Sequence, residues 1–408
     1  MARGCYRWCA LGWLAAAVAG GGPVTGCTDD FVEMGKGGKA AGRIVTVDNS
    51  GDAGYYVAMD LDSRDRAHLV YYDKANRSLK YVRHAKAGFS SQVVDAACKK
   101  CLYATILVTG DYEPHIAYYN DSTQTLTYAY RQDGQWKREG IEWGRGNGMG
   151  AQLQLDDNGS LHALYYSGDG FLKHAWRVPN EQAEKEPAKP RRRRKRAAAE
   201  QSAESDKPDQ PEQPAGIWGN EQVDKANGSE KVSIRFVRQP NGRFAASYFH
   251  WSGLDSEVRI AIQGPDGHWT TEVVAHEHNP GKSSALYFGR GGEPKVIFRQ
   301  ARKDRLSLAE LTIEGWKAQP LVPDAYNMAF DIDGTYNLLL AYARMSGRDP
   351  RKGHLRMAWR RDWKWFDYEI DATPGSGTHL AAGLTTGGQP LVAYFAESTK
   401  SLKLFIGE

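Results

Sequence analysis

The feature that most constrains the fold of this 408-residue chain is an internal repeat of about 47 residues. One aliphatic residue marks the same place in each copy: Leu79, Leu126, Leu172, Val258, Leu306, Leu355 and Leu402. Segments such as HIAYY and LTYAY lack the 3.6-residue period of a helix and have the aromatic and β-branched content of short strands. Four short strands in about 47 residues are typical of one blade of a β-propeller, so seven marks predict seven blades.

The two ends of the chain complete each other. The seventh copy stops after three strands, and residues 43–48 supply a strand with the Val-Asp ending that closes other copies. Pairing this strand with the last copy closes a ring and leaves no unpaired sheet edge. The sequence therefore predicts an all-β, seven-bladed β-propeller of four-stranded blades over residues 43–408, closed by its N-terminal strand. A repeated aromatic residue is interpreted as packing between blades: Phe89, Trp136, Trp218, Trp269, Trp316 and Trp363.

One interval between marks is longer than the others and locates an insertion at about 178–216. This segment is rich in Pro, Glu, Gln, Lys and Ala and has no strand pattern. Too little apolar surface is available to order it, so we expect a disordered loop. Its basic run, residues 191–196, could contact an anionic polymer or lipid head groups, but flanking acids favour a solvated loop.

The N-terminus has the features of an export signal. Arg3 and Arg7 precede a short apolar run, and Val24-Thr25-Gly26-Cys27 resembles the lipobox of bacterial lipoproteins. That resemblance implies that residues 1–26 are removed, that Cys27 carries a lipid, and that 27–42 form a flexible tether. The protein would then be anchored in the cell envelope of a Gram-negative bacterium, with Thr28 favouring the outer membrane. The alternative is a plain secretory signal with an incidental cysteine.

Charge composition adds little about partners. The chain has 53 basic and 49 acidic residues, which gives no general electrostatic case for a nucleic-acid partner. The membrane, through the lipid, and a glycan or protein ligand are the partners we expect of a monomer. No motif indicates a cofactor.

Two pairs of residues between blades could hold a disulfide or a metal. Cys98 and Cys101, in an oxidising compartment, favour a disulfide, with a thiolate metal site as the alternative. His276 and His278 could place two imidazoles on one side of a strand end, but no third ligand is identified, and a solvated loop is the simpler interpretation.

Aromatic and polar residues end the second strand of several repeats. Because strand neighbours point to opposite faces, one residue of each pair should pack between blades and the other could reach the rim. The candidate ligand-binding residues are Tyr72, Tyr119, Tyr166, Trp251 and Arg299, with His379 on the same rim. The alternative is that both members of each pair are packing residues.

Repeats of the form HIAYY…LTYAY…G-W…VD resemble those of the sialidase-like propellers, over residues 43–408 outside the insertion. The Asp boxes of sialidases are absent from this sequence, and no catalytic residue can be assigned from the resemblance. We therefore expect a lipid-anchored scaffold that presents one rim to a glycan or protein. The alternative is a glycoside hydrolase with two carboxylates at the mouth of the channel.

Overall fold

The computed structural model describes residues 34–86, 88–110, 112–178, 218–226, 234–251, 256–277, 280–346 and 349–408. Within these ranges, seven sheets contain 29 strands and a single short 3-10 helix, Ala301–Lys303. Each blade has four strands, A to D from the channel outward, which are consecutive in the chain in blades 1 to 6. The predicted all-β, seven-bladed propeller is confirmed.

The strands that precede or build the first three blades are β1 (Met34–Lys39), β2 (Gly42–Asp48), β3 (Ala53–Leu61), β4 (Ala67–Asp73), β5 (Ser78–Ala85), β6 (Gly88–Asp95), β7 (Cys101–Val108), β8 (Pro114–Asn120), β9 (Thr125–Gln132), β10 (Gln135–Trp143), β11 (Met149–Leu155), β12 (Leu161–Tyr166), β13 (Phe171–Arg177) and β14 (Trp218–Lys225). Those of blades 4 to 7 are β15 (Arg235–Arg238), β16 (Phe244–His250), β17 (Ser256–Gln263), β18 (Trp269–Glu277), β19 (Pro280–Phe288), β20 (Pro294–Gln300), β21 (Arg305–Thr312), β22 (Gly315–Pro323), β23 (Ala325–Ile332), β24 (Leu338–Ser346), β25 (Asp349–Arg361), β26 (Lys364–Asp371), β27 (Ser376–Leu384), β28 (Pro390–Ala396) and β29 (Ser401–Gly407).

Two rims follow from this strand order. The turn rim carries the A–B and C–D turns, such as residues 62–66 and 132–135. The link rim carries the B–C turns and the links between blades, such as residues 96–100 and 144–148. Each side chain discussed below can be assigned to one rim from its place on a strand.

The ring closes as the sequence predicts. Strand β2 pairs antiparallel with β29, with Ile44 opposite Phe405 and Asp48 opposite Leu402. Blade 7 therefore combines three strands from the end of the chain with one from its beginning, and β29 has a hydrogen-bonded strand on both sides.

The segment before β2 differs from the expectation of a flexible tether. Residues Met34–Lys39 form β1, which pairs in parallel with β26 at the outer edge of blade 6. Ala40 is buried, and its backbone N–H donates to the Glu369 carbonyl at 2.8 Å. The tether prediction is wrong for these residues because backbone hydrogen bonding to an open sheet edge needs no apolar side chains, and composition alone does not reveal it.

The remaining parts of the N-terminal and insertion predictions lie outside the described residues. These are the signal peptide 1–26, Cys27, and the insertion at about 178–216 apart from residue 178. Strands β13 and β14 flank the insertion, so it connects the C and D strands of blade 3 on the turn rim. Among the described residues, no helix is long and apolar enough to cross a membrane.

Hydrogen bonds from tyrosine to a carboxylate join successive blades. The first tyrosine of each B-strand pair is buried and donates its hydroxyl, at 2.5–2.6 Å, to the acid that closes the preceding blade: Tyr71 to Asp48, Tyr118 to Asp95, Tyr165 to Glu142, Tyr248 to Asp224 and Tyr394 to Asp371. Blade 5 has Phe298 at this position, and blade 4 closes on Ala275, which offers no acceptor. In blade 6 the preceding blade closes on Val322, and the Tyr342 hydroxyl donates instead to Asp367 of its own blade at 2.6 Å. At each of these positions the hydroxyl is present where a carboxylate accepts it, so polarity is matched.

The repeated tryptophans also join neighbouring blades. Four of them are half-buried and donate the indole N–H to a polar side chain of the preceding blade: Trp136 to Gln92, Trp218 to Glu139, Trp269 to Glu221 and Trp316 to Glu272. In blade 6 the equivalent residue is Trp365, which is buried. The assignment of Trp363 to this packing series is wrong because Trp363 stands in the C–D turn, and Phe89 is likewise exposed.

Candidate functional site

The inner strands of all seven blades surround a cavity of about 430 Å³ in the central channel. Most of its lining is aliphatic, and Asp60, Arg235, Gln154 and Asp331 are among the polar exceptions. The residues just before these lining segments, at the link-rim end of the inner strands, form the mouth of the channel.

Three aromatic rings from consecutive blades lie side by side at this mouth. His379 of blade 7, Tyr56 of blade 1 and Tyr103 of blade 2 occupy corresponding positions of their inner strands. The Tyr56 ring centroid is 5.1 Å from that of His379 and 5.4 Å from that of Tyr103. We call these three residues the aromatic crescent.

The backbone of the crescent is unusual at both tyrosines. Tyr56 and Tyr103 have φ angles of 52° and 56°, and the strand register shifts around each of them. In blade 3 the corresponding residue is Gly150, with φ 65°. Left-handed backbone costs a bulky residue free energy and is concentrated at sites of binding or catalysis. The crescent therefore has rings where glycine would be the less strained choice.

His379 is held as a neutral hydrogen-bond donor. Its Nδ1 atom accepts the Tyr56 backbone N–H at 3.3 Å, so the proton of the neutral ring is on Nε2. Burial lowers the pKa of His379 to about 4, and the Glu397 charge opposes that effect only in part. The ring packs against Tyr55, with centroids 5.2 Å apart, and against Phe395.

Polar atoms continue the site beside His379. Asn327 holds the corresponding position in blade 6, and its amide donates to the Gly377 and Thr378 carbonyls at 2.9 and 3.1 Å. Among the described residues, no hydrogen-bond partner contacts the buried Oδ1 atom of Asn327 or the buried Oγ1 atom of Thr378. Buried polar atoms of this kind favour a ligand with hydroxyl or amide groups.

Deeper in the channel, carboxylates hold neighbouring inner strands together. The Asp60 carboxylate accepts the Val108 N–H, and that of Asp331 accepts the Leu384 N–H, both at 2.7 Å. Burial raises the pKa of Asp60 to about 6, against the effect of its backbone hydrogen bonds, and it also raises the pKa of Asp331. Arg235 also lines this cavity, and its buried Nε has no partner among the described residues.

Tyr72, Tyr119 and Tyr166 are not exposed on the rim, so the alternative interpretation, that both members of each pair are packing residues, applies to them. Tyr72 and Tyr119 are 5% exposed and Tyr166 is fully buried. Their hydroxyls form hydrogen bonds with the backbone of the following link or blade. Tyr72 donates to the Lys99 carbonyl and Tyr166 to the Phe249 carbonyl, whereas the Tyr119 hydroxyl accepts the Gly146 N–H. Because side chains alternate along a strand, the first tyrosine of each pair faces the preceding blade and the second faces the following one. A neighbouring blade packs on each face, so both rings are buried.

The other two candidates from the B strands also lie apart from the crescent. Arg299 replaces the second tyrosine in blade 5 and performs the same task, since its Nε donates to the Ala325 carbonyl at 2.9 Å. It also pairs with Asp304 and lies over the Tyr326 ring. Trp251 is 41% exposed and its ring lies 6.4 Å from that of Phe249. Of the six predicted ligand-binding residues, only His379 belongs to the crescent.

The cysteine and histidine pairs have separate environments. Cys98 and Cys101 are buried and joined by a disulfide, with Cα atoms 5.7 Å apart. The Lys99 carbonyl, between the two cysteines, accepts a hydrogen bond from the Tyr72 hydroxyl. His276 is exposed and its Nδ1 lies 3.2 Å from a Glu257 oxygen, while His278 lies outside the described residues.

The sequence did not identify Tyr56, Tyr103 and Asn327 as site residues, because the Tyr-Tyr pairs of the B strands are the more prominent aromatic pattern. A usable signal was present, since Tyr56 and Tyr103 are one repeat length apart on successive A strands. Their left-handed φ angles and shared mouth could not be inferred from spacing.

The comparisons with known proteins support the fold. No family model and no curated protein matches the sequence. Among solved structures, a catalytically inactive virginiamycin B lyase from Staphylococcus aureus, solved with quinupristin, is similar at 8% identity and a TM-score of 0.53, over 89% of this chain and 99% of that one. An ulvan lyase from a new family of polysaccharide lyases is similar at 10% identity and a TM-score of 0.52, over 90% and 94%. The fucose-recognising lectin of Aleuria aurantia has a TM-score of 0.47 at 12% identity, over 74% of this chain and 89% of that one.

Proposed function

We propose that this protein is a lipid-anchored binding protein of the cell envelope that captures a glycan at the link-rim mouth of its channel. The observation that carries the proposal is the aromatic crescent, in which two tyrosines occupy a backbone conformation that disfavours their side chains. An arrangement needed only for packing has a less strained solution at the same position, as blade 3 has with Gly150.

The chemistry of the mouth suits a sugar. The C–H face of a sugar ring stacks on aromatic rings, and adjacent polar groups fix its hydroxyls. The three rings follow one another around the mouth, with the centroids of neighbouring rings about 5 Å apart. The Nε2–H of His379 can donate to a sugar hydroxyl, so stacking and hydrogen bonding are available together.

A glycan array followed by calorimetric titration with the strongest oligosaccharide tests this proposal. Tyr56→Asn and Tyr103→Asn remove one ring each, and asparagine tolerates left-handed backbone. Loss of one stacked ring, worth about 0.5–1.5 kcal/mol, should weaken binding by about two- to tenfold. Trp363→Gly, on the opposite rim, is the matched control and should bind as the wild type does. Equal affinity of all four proteins would rule out the crescent as the site, and binding of a protein but no glycan would refute the ligand class.

Lipid anchoring rests on the lipobox-like Val24–Cys27 sequence and is tested separately. Cys27→Ser should abolish labelling with a fatty-acid analogue and lower the share of the protein in the membrane fraction. Cys98 and Cys101 provide an internal control, because a disulfide leaves no thiol for acylation. Labelling that persists in the Cys27→Ser variant would contradict the proposal.

A glycoside hydrolase is the second candidate, and the observation in its favour is the pair of buried carboxyls, Asp60 and Asp331, in one channel. A carboxyl with a pKa near 6 can act as a general acid at neutral pH. Against this role, both side chains already accept backbone N–H groups of the next blade. Turnover of aryl glycosides that disappears in Asp60→Asn or Asp331→Asn, in a variant that still folds, would favour the hydrolase over the scaffold.

A further inference from the structure

We propose that the turn rim of blades 5 and 6 is a docking face for an anionic lipid surface, with Trp363 as its apolar contact. The proposal rests on lipid anchoring for the orientation it assigns to the molecule. It does not depend on the glycan site, which lies on the opposite rim.

Trp363 has no packing role that explains its position. It is 58% exposed in the C–D turn of blade 6, and Asp362 and Trp363 have φ angles of 47° and 64°. The same turn of blade 2 has Asp133 and Gly134, with φ angles of 51° and 76°. Glycine is the residue this two-residue turn favours, so a large exposed ring is present at a conformational cost. The equivalent turn of blade 5 also exposes an apolar residue, the fully exposed Ile313.

Two arginines lie close to the Trp363 ring. The guanidinium carbon of Arg290 lies 4.8 Å, and that of Arg360 4.9 Å, from a centroid of the indole. The buried Arg360 also donates to the Tyr336 carbonyl at 3.1 Å, which ties the cluster to the next turn. Arg290, Arg361 and Lys364 are exposed beside Asp362. The other acids of these turns have partners: Glu293 lies 3.7 Å from Lys295, Glu314 pairs with Lys317, and Asp333 accepts hydrogen bonds from Thr335 and Asn337. An exposed tryptophan among basic residues suits the interface of a membrane with anionic lipids.

The path of the chain brings the lipid to the blade 6 side of the ring. Met34, the first described residue, pairs with Trp365, two residues beyond Trp363. Cys27 is seven residues before Met34, so even a fully extended chain places it within about 25 Å of this point. A folded ring of this size has a diameter of roughly 50 Å, which is about twice that reach. The anchor therefore restrains the edge of blade 6 to the bilayer, with the Trp363 turn beside it.

An orientation of the whole molecule follows. Contact through the turn rim of blades 5 and 6 leaves the link rim, with Tyr56, Tyr103 and His379, directed away from the lipid. A ligand could then reach the crescent from the aqueous side without passing between protein and membrane.

Co-sedimentation with vesicles tests the docking face. The protein starting at residue 28 contains every described strand and carries no lipid. It should bind vesicles of phosphatidylglycerol and phosphatidylethanolamine more strongly than vesicles of phosphatidylcholine. Trp363→Gly should lower the partition coefficient about tenfold, because burying roughly 60 Å² of apolar surface gives this factor. Arg290→Ala should lower it about fivefold on anionic vesicles only.

The controls separate this proposal from the two above. The Tm of Trp363→Gly should be no lower than that of the wild type, since glycine suits the φ angle of this position. If the Tm of Trp363→Gly is lower, vesicle binding by Arg290→Ala is the test of the docking face. Tyr56→Asn, on the opposite rim, should bind vesicles unchanged. Failure to bind anionic vesicles, or wild-type binding by both turn-rim variants, overturns the docking face and leaves the tests of Cys27 labelling and glycan binding standing. Equally strong capture of dextran sulfate in solution would assign the patch to a soluble polyanion and overturn it too.

Discussion

Replacing Tyr118 by phenylalanine isolates one tyrosine–carboxylate junction between blades. The Tyr118 ring is fully buried, and its hydroxyl donates to Asp95 of the preceding blade at 2.6 Å. Phenylalanine fills the same space, so the variant loses one hydrogen bond and creates no cavity. The Asp95 carboxylate keeps Asn120 and Arg138 as partners at 3.0 and 2.7 Å, so it remains paired in the variant.

The magnitude follows from the charge on the acceptor. A hydrogen bond to a charged group contributes about 1.5–3 kcal/mol to stability. The unfolding entropy of the roughly 330 residues of the ring outside the insertion is about 0.7 kcal/mol/K, so Tyr118→Phe should lower Tm by about 2–4 °C. Differential scanning calorimetry at neutral pH measures this shift, and urea denaturation gives the corresponding change in free energy of unfolding.

Blade 5 provides the reciprocal variant. Phe298→Tyr adds a hydroxyl at the equivalent junction, where Ala275 offers no acceptor. Burying that hydroxyl without a partner should cost about 1–3 kcal/mol. Both substitutions should therefore lower Tm although they exchange the same two residues in opposite directions. An unchanged Tm in Tyr118→Phe, or a raised Tm in Phe298→Tyr, would refute the argument that polarity is matched at each junction.

Other predictions concern ring closure and pH. Deleting residues 43–48 removes the strand that closes blade 7 and should leave the protein unfolded or aggregated by circular dichroism, whereas deleting 28–33 should leave Tm unchanged; equal tolerance would contradict closure. Burial opposes ionisation of Asp48, but hydrogen bonds from Tyr71, Ser50 and Lys80 outweigh it and hold its pKa at about 2. This contribution to stability is present above pH 4 and lost as pH falls toward 2, so the acid limb of a Tm-versus-pH curve should flatten in Asp48→Asn. His379, with its pKa lowered to about 4, should stay neutral down to about pH 5 in an NMR titration, and a midpoint near 6.5 would show that its ring is solvated.

The sequence by itself determined the number of blades, their order and the closure of the ring. These properties depend on patterns within about 47 residues: short strands, turns, and a Val-Asp ending found at both ends of the chain. The last copy supplies only three of the four strands that make a blade, and residues 43–48 were the fourth strand that it lacked. The position of the insertion between β13 and β14 also followed from repeat spacing alone.

The tertiary structure decided which residues meet. Tyr56 and His379 are 323 positions apart, and only the closed ring brings their rings within 5.1 Å. Strand alternation also did not predict which side chains are buried. Both faces of a blade pack against neighbouring blades, so Tyr71 and Tyr72 are both buried. Trp363 matched the repeat in sequence, but strand register places it in a turn and assigns the packing role to Trp365. Local pattern fixes the elements of a repeat protein, whereas the contacts between copies depend on register and backbone angles that only the assembled ring defines.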